Sequence, residues 1–128
     1  MIEDRVDIIE QVLAQVPRPD GFVGAHLLDA ATGDVLAGVA VDPGEALPVL
    51  AAAVVRALQE AGDALAGRAI DEDLQELILT TTGHHHVARL LPELGGTGAV
   101  LLVTLDRHRA NLAQARYLLR RLEVPLVP

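Results

Sequence analysis

The fold is decided by residues 98–122, GAVLLVTLDRHRANLAQARYLLRRL, in which a buried strand runs directly into a helix. Residues 100–103 are continuously apolar, which is typical of a strand covered on both faces and therefore central in its sheet. Asp106 then has the character of an N-cap, and a helix is predicted to follow through about Glu123. The inward side chains of that helix are predicted to be Leu112, Ala115, Leu119 and Leu122.

Working outward from this unit, apolar periodicity and turn residues predict six further elements in one domain, residues 1–128. These are a helix over 1–16, strands over 22–29 and 35–41, a helix from Pro43 to about Ala66, and strands over 74–82 and 84–91. Residues 42–45, DPGE, suggest an N-cap followed by proline for the long helix. The order is helix-β-β-helix-β-β-β-helix, an α+β arrangement with an N-terminal helix (1–16), a core (22–123) and a tail (124–128).

Composition excludes several chemistries. The 128 residues carry a formal net charge of −8 and contain no Cys, Ser or Lys, so all ten cations are Arg. Ser-His and Cys-His nucleophiles, a Schiff-base lysine, the phosphate-binding GxxxxGK[ST] loop and cysteine zinc sites are therefore impossible. With 2% aromatic residues and an acidic balance, nucleic acid is not an expected partner, and no cofactor is predicted.

The apolar runs are too short for the ~18 residues that a membrane-spanning helix needs. The N-terminus is acidic and amphipathic, and it has no apolar signal core. No membrane insertion is predicted, and a cytoplasmic location is expected.

The long helix has two sides that are poor in charge. One is the predicted core face, and the other consists of small or apolar residues interrupted by two charges. This second stripe comprises Val49, Ala52, Ala53, Arg56, Ala57 and Glu60. Small residues permit another helix to approach closely, although Ala is also a good helix former on a solvated face. The sequence therefore leaves two interpretations open for this stripe: a surface that packs against a second helix, or a solvated helix face.

The most conspicuous polar run is His84-His85-His86. On a strand, His84 and His86 share one face while His85 points away. Two imidazoles lack the third and fourth ligands of a zinc site, and the local sequence supplies no carboxylate. A partly solvated strand start is the preferred interpretation, and no metal site is predicted.

Three other polar features are assigned no chemistry. The glycine-rich residues 95–98 precede a strand rather than a helix, so they indicate a connection and not a phosphate cradle. Asp71–Asp73, with Glu76 nearby, lack the spacing of a calcium loop. His26 and Asp29 point to opposite faces of a strand, so they do not form an acid–base pair.

Charge is unevenly distributed along the chain. Residues 1–64 carry a net −8, whereas 107–121 contain five Arg and no acid: Arg107, Arg109, Arg116, Arg120 and Arg121. In the preferred interpretation, Arg120 and Arg121 complement the C-terminal dipole of the helix, and the other three arginines lie on a solvated face. A basic patch for an acidic partner or phosphate is the alternative.

The chain resembles the roadblock/dynein light chain domain family. The resemblance rests on GAHLLDAATGDVLAGVAV (24–41), LQELILTTTGHHHVARLL (74–91) and the stretch 98–122, in particular on Asp106, Asn111-Leu112 and Ala115-Arg116 after the buried strand. It covers nearly the whole chain. The histidine triplet departs from the more hydrophobic strand start of the family.

This resemblance implies a non-enzymatic homodimer with an open five-stranded sheet of order 2-1-5-4-3 and helices on both faces. It implies that the third strand lies at an edge and pairs with its mate while the two long helices pack together. It further implies a regulator or adaptor of a small Ras-like GTPase. The interface residues expected on this basis are Val49, Ala52, Ala53, Arg56, Ala57, Glu60, Glu76, Ile78 and Thr80. No residue can be assigned the role of an arginine finger, so Arg56 has no established part in hydrolysis.

Two alternatives belong to other classes of function. A small-ligand sensor on a similar scaffold needs a pocket of several hundred Å³ between sheet and helix, and a filled aliphatic core argues against it. A hydrolase that uses His84, His86 and acids is a weaker option.

Overall fold

A computed structural model describes residues 2–41, 49–91 and 98–122. The described residues form three helices and five strands. In chain order they are α1 (Ile2–Gln15), β1 (Phe22–Asp29), β2 (Val35–Ala40), α2 (Ala51–Gly67), β3 (Glu76–Thr80), β4 (His84–Leu91), β5 (Ala99–Asp106) and α3 (Leu112–Arg120).

The five strands form one sheet of order β2-β1-β5-β4-β3, in which every neighbouring pair is antiparallel. The apolar strand β5 is central, as predicted from residues 100–103, and β2 and β3 lie at the two edges. The α+β class and the strand order expected from the family resemblance are confirmed.

Alternate residues of β5 enter two separate cores because successive side chains of a strand point to opposite faces. Leu101, Val103 and Leu105 pack with α1 and α3 on one face. Val100 and Leu102 pack with α2 on the other face. Both cores are built almost entirely from aliphatic side chains, and the sheet is the middle of three layers.

The long helix begins later than predicted. The cap proposed at residues 42–45 lies outside the described residues, and α2 begins at Ala51 after the turn residues Val49 and Leu50. The sequence contains Pro48 between the proposed cap and this start, and a proline inside a helix removes a backbone donor and clashes with the preceding turn. One continuous helix from Pro43 is therefore disfavoured.

The predicted cap of the last helix is also wrong. Asn111, not Asp106, is the N-cap of α3, and its side-chain oxygen accepts a hydrogen bond from the Gln114 backbone N–H at 3.0 Å. Asp106 ends β5 and stabilises the intervening turn, because its carboxylate accepts from the His108 N–H at 2.9 Å. Both residue types are good N-caps, and the length of the turn decides between them.

Candidate interaction surface

The helix α2 presents two different sides. Ala51, Val54, Val55 and Leu58 are buried against the sheet. The predicted partner stripe is solvent-exposed throughout, and Val49 is 87% exposed. The exposed members are Val49, Ala52, Ala53, Arg56, Ala57 and Glu60. Four of these six are apolar, so this side of α2 is an apolar surface with one cation and one anion.

Among the described strands, none pairs with the outer edge of β3. The hydrogen-bonding groups of this edge can be located from the register of β3 with β4. Leu90 donates its N–H to the Gln75 carbonyl at 2.9 Å, and Thr81 donates to the His84 carbonyl at 2.9 Å. Hydrogen-bonded pairs alternate along an antiparallel ladder. The residues between them, Glu76, Ile78 and Thr80, therefore point their N–H and C=O groups away from β4, toward the outer edge of the sheet.

The side chains of these three edge residues make contacts within the chain. Ile78 packs against the core that α1 and α3 cover. The Thr80 hydroxyl lies 2.8 Å from His85 Nδ1. Glu76 has a side chain only 13% exposed. What the edge offers a partner is therefore the backbone of Glu76, Ile78 and Thr80 more than their side chains.

The Glu76 carboxylate joins three elements. One oxygen accepts a hydrogen bond from Arg116 Nε on α3 at 2.6 Å and is ion-paired with the same guanidinium. The other oxygen lies 3.4 Å from Arg89 Nη1 on β4. The edge strand is thereby fixed to α3 across 40 residues of sequence. Sequence reasoning missed this network because no periodicity links the three residues.

A double-mutant cycle on Glu76→Ala and Arg116→Ala should give a coupling free energy of about 1 kcal/mol, because the Arg116 side chain is 36% exposed and solvent screens the pair. The coupling should fall in 1 M salt. Urea denaturation of the four proteins measures it. Additive effects of the two substitutions would show that the pair contributes nothing to stability.

The helix α2 and the strand β3 are in contact with each other. Leu77 of β3 and Leu74 before it pack against the core beneath α2. We refer to the exposed stripe of α2 together with the outer edge of β3 as the α2–β3 surface. All nine residues predicted for the dimer interface lie on these two elements or, in the case of Val49, immediately before α2.

The three histidines alternate across β4 as predicted. The rings of His84 and His86 lie on one face with centroids 5.9 Å apart. His86 Nδ1 lies 3.3 Å from Thr104 Oγ1 on β5. Within the described ranges, no group of three or more His, Asp or Glu side chains is arranged to hold a metal ion.

Burial, together with the nearby His84 and His85, lowers the pKa of His86 below its usual value of 6.5. The unfolded chain therefore binds the proton more readily than the folded chain, and the free energy of unfolding should fall as the pH drops below about 6.5. His86→Gln should reduce this loss between pH 7.5 and 5.5, as measured by urea denaturation. His108→Gln, at an exposed position, is the matched control. If the pH dependence of His86→Gln were the same as that of the wild type, His86 would not be the cause of the loss of stability at low pH.

Other polar residues singled out in the sequence serve the fold. Asp29 accepts hydrogen bonds from the N–H groups of Ala31 and Thr32 at 2.8 and 3.2 Å, so it stabilises the β1–β2 turn. His26 is buried at 8% exposure. Asp71–Asp73 are exposed. Of the glycine-rich residues 95–98, only Gly98 is described, and its φ is +82°.

Several of the arginines between 107 and 121 also make contacts within the chain. Arg107 donates to the Thr81 carbonyl at 3.3 Å, and the guanidinium of Arg121 lies 5.7 Å from the ring centroid of Tyr117. Together with the Arg116–Glu76 pair, these contacts support the structural interpretation of the basic stretch more than a phosphate site.

An open groove of about 570 Å³ lies beside the second half of α2. Leu58 and Gly62 of α2 form one wall, and Leu74 and Leu90 contribute to the other. The groove also contains Asp73, Gln75 and Arg89. Leu58 belongs to the core beneath α2, and Leu74 and Leu90 pack against that core, so the groove borders it.

In the described part of the chain, no helix is both long and apolar enough to cross a membrane.

Solved structures with the same architecture cover almost the whole chain. A roadblock/LC7 domain from Streptomyces avermitilis is 19% identical, with a TM-score of 0.62 over 90% of this chain and 88% of the other. The gliding protein MglB from Thermus thermophilus is 24% identical, with a TM-score of 0.61 over 93% and 82%. MglB from Myxococcus xanthus is 11% identical, with a TM-score of 0.64 over 93% and 81%.

No family model and no curated protein matches the sequence. At these identities the likeness establishes the architecture of the chain, and it confirms the resemblance noted in the sequence at the level of the fold. The chain has the fold of the roadblock/LC7 domain proteins.

Proposed function

We propose that this chain is a non-catalytic homodimeric regulator or adaptor that binds a small Ras-like GTPase. The observation that carries the proposal is the fold it shares with roadblock/LC7 and MglB structures. Two further features support it. The sequence contains no Ser, Cys or Lys, and the α2–β3 surface offers an apolar helix face and a strand edge with which no described strand pairs.

The proposed dimer has a two-fold axis at Ile78. In this arrangement Ile78 lies opposite its own copy, and Glu76 lies opposite Thr80 of the second copy. These are the residues whose N–H and C=O groups point outward, so three pairs exchange two backbone hydrogen bonds each. Pairing of two edges removes the aggregation hazard of a free strand and gives an isologous interface.

Charge does not oppose self-pairing of β3. Like charges directly opposite each other destabilise strand pairing. A two-fold axis at Ile78 places Asp73 opposite Gly83 of the second copy, and no two acids face each other.

The outer stripe of α2 completes the proposed interface. Ala52, Ala53 and Ala57 have side chains small enough for a second helix to approach closely. Arg56 and Glu60 are four residues apart on this side, so each can pair with the opposite charge of the second copy. This arrangement places Arg56 at the dimer axis and assigns it no role in hydrolysis.

Binding of the GTPase is tested by calorimetric titration of the dimer with Ras-like GTPases loaded with GDP or with a non-hydrolysable GTP analogue. Any Ras-like GTPase that is encoded beside this chain is the first to try. A saturable complex with one of them, stronger in one nucleotide state, is expected. The absence of binding to all of them in both states would overturn the proposal.

A small-ligand sensor is the second candidate function, and the groove of about 570 Å³ beside α2 favours it. Its volume is in the range of ligand sites. Native mass spectrometry of the purified chain would detect a retained small molecule. Gly62→Leu should then eliminate it, because no atom lies within 4 Å of the added Cβ and the larger side chain can extend into the groove.

A further inference from the structure

Arg107 places a cation at the end of the edge strand β3. Its backbone N–H donates to the Gly83 carbonyl at 3.0 Å, so the chain just after β5 runs beside the β3–β4 turn. Its side chain extends to β3, because Nη1 donates to the Thr81 carbonyl at 3.3 Å. Thr81 directly follows the last residue of β3, so the guanidinium lies at one end of the edge that is proposed to self-pair.

The segment before β3 carries charge of the opposite sign. Asp71, Glu72 and Asp73 are all exposed. No Lys or Arg occurs in the sequence between Arg68 and Arg89, so no neighbour along the chain compensates these three acids. We refer to residues 71–73 as the acidic segment.

An antiparallel pair of β3 strands with its axis at Ile78 brings the two signs of charge together. Asp73 of one copy lies opposite Gly83 of the other, because the two residues are equally far from Ile78 in sequence. Gly83 is the residue whose carbonyl accepts the Arg107 N–H. Each Arg107 is thus next to the acidic segment of the other copy, and the two-fold axis produces this contact twice.

The acid within β3 itself does not compete for Arg107. Glu76 of one copy lies opposite Thr80 of the other, one row of the sheet closer to the axis. Its carboxylate is already paired with Arg89 and Arg116 of its own chain. The acidic segment therefore supplies the unpaired negative charge at this end of the strand pair.

The charged groups around Arg107 leave its positive charge in place. Asp106 directly precedes it, but successive side chains of a strand point to opposite faces of the sheet. Arg109 in the following turn is exposed and has the same sign as Arg107. The histidines of β4 and His108 add positive charge only when they are protonated.

We infer that Arg107 of one copy pairs with the acidic segment of the other, and that these two symmetric contacts stabilise the pairing of β3 with its copy. The inference rests on the proposed dimer and adds to it a determinant outside the strand ladder. Each chain has a formal net charge of −8, so two copies repel each other overall. Opposite charges at both ends of the paired strands offset part of this repulsion and favour the register centred on Ile78.

Charge reversal at Arg107 tests the inference. Arg107→Glu places a carboxylate next to the acidic segment at both ends of the strand pair, so it should weaken the dimer about tenfold. Sedimentation velocity at pH 8, where histidine is largely uncharged, measures the change. The loss should shrink in 1 M salt, because salt screens exposed charges.

Arg18→Glu is the matched control, since it gives the same net charge. Arg18 lies over the ring of Phe22 at the start of β1, and β5 and β4 separate β1 from β3. This variant should dimerise like the wild type. Circular dichroism verifies that each variant is folded.

A charge swap separates the contact from other effects of Arg107→Glu. With Asp73→Arg added, a cation and a carboxylate again lie next to each other, so the double variant should dimerise at least about threefold more tightly than Arg107→Glu alone. Glu10→Arg, on the exposed side of α1, makes the same charge change away from β3 and should not restore the dimer. Loss of the Arg107–Thr81 hydrogen bond alone would not be rescued by Asp73→Arg.

The outcomes distinguish this inference from the proposed dimer. If the wild-type chain is a dimer with a slowly exchanging Ile78 amide, and Arg107→Glu dimerises as tightly as Arg18→Glu, the charge contact is wrong and the dimer stands. Equal rescue by Glu10→Arg and Asp73→Arg would attribute the effect to net charge and would also overturn the contact. A monomeric wild-type chain would overturn the proposed dimer together with this inference.

Discussion

Ala53→Glu is expected to weaken the dimer more than a hundredfold while leaving the helical signal unchanged. Ala53 is exposed on the outer side of α2, so the new carboxylate remains solvated in the isolated protomer. In the proposed dimer it is transferred from water to the interface between the two helices. Burying a charge without a partner costs several kcal/mol. Sedimentation velocity across micromolar concentrations measures the change.

Ala113→Glu is the matched control for this experiment. It makes the same substitution at an exposed position of α3, away from the α2–β3 surface. It should sediment like the wild type. A dimer that survives Ala53→Glu and has the wild-type dissociation constant would show that α2 does not form the interface.

Leu101→Ala is expected to lower the free energy of unfolding by about 2–5 kcal/mol. Leu101 is fully buried at the centre of β5, where it packs in the core covered by α1 and α3. Truncation removes apolar contacts and leaves a cavity that the surrounding strands fill only in part. Urea denaturation followed by circular dichroism measures the loss.

Leu36→Ala makes the same chemical change on the outer strand β2, where Leu36 is 37% exposed. Its cost should be clearly smaller than that of Leu101→Ala, because more than a third of Leu36 is already exposed to water and less apolar burial is lost. Equal losses for Leu101→Ala and Leu36→Ala would contradict the central position of β5.

Residues 98–122 predicted much of the fold because their pattern has one physical solution. Four consecutive apolar residues in a strand require cover on both faces, and β5 has that cover from α1 and α3 on one side and α2 on the other. The strand order itself came from the family resemblance. Periodicity cannot determine which strands become neighbours, because pairing depends on contacts distant in sequence.

The error at the last helix occurred where two local signals compete. Asp106 and Asn111 are both good N-cap candidates, and the later one caps α3. The cap proposed for the long helix at residues 42–45 lies outside the described residues and stays a prediction.

The interface residues expected from the family resemblance remain a prediction. The structure nevertheless explains why β3 is suited to pairing with a second copy. The outward orientation of Glu76, Ile78 and Thr80 depends on the β3–β4 register, which the sequence alone does not specify. The ion pairs of Glu76 with Arg89 and Arg116 were unpredictable for the same reason.

The most direct test of the proposed dimer is residue-resolved hydrogen exchange at the amides of Glu76, Ile78 and Thr80. These N–H groups point outward from β3, so they are open to solvent in a protomer and hydrogen-bonded in a dimer centred on Ile78. We predict slow exchange of all three in the wild-type chain at micromolar concentration and fast exchange in Ala53→Glu. Fast exchange at these positions in the wild-type chain would contradict the pairing of β3 with its copy.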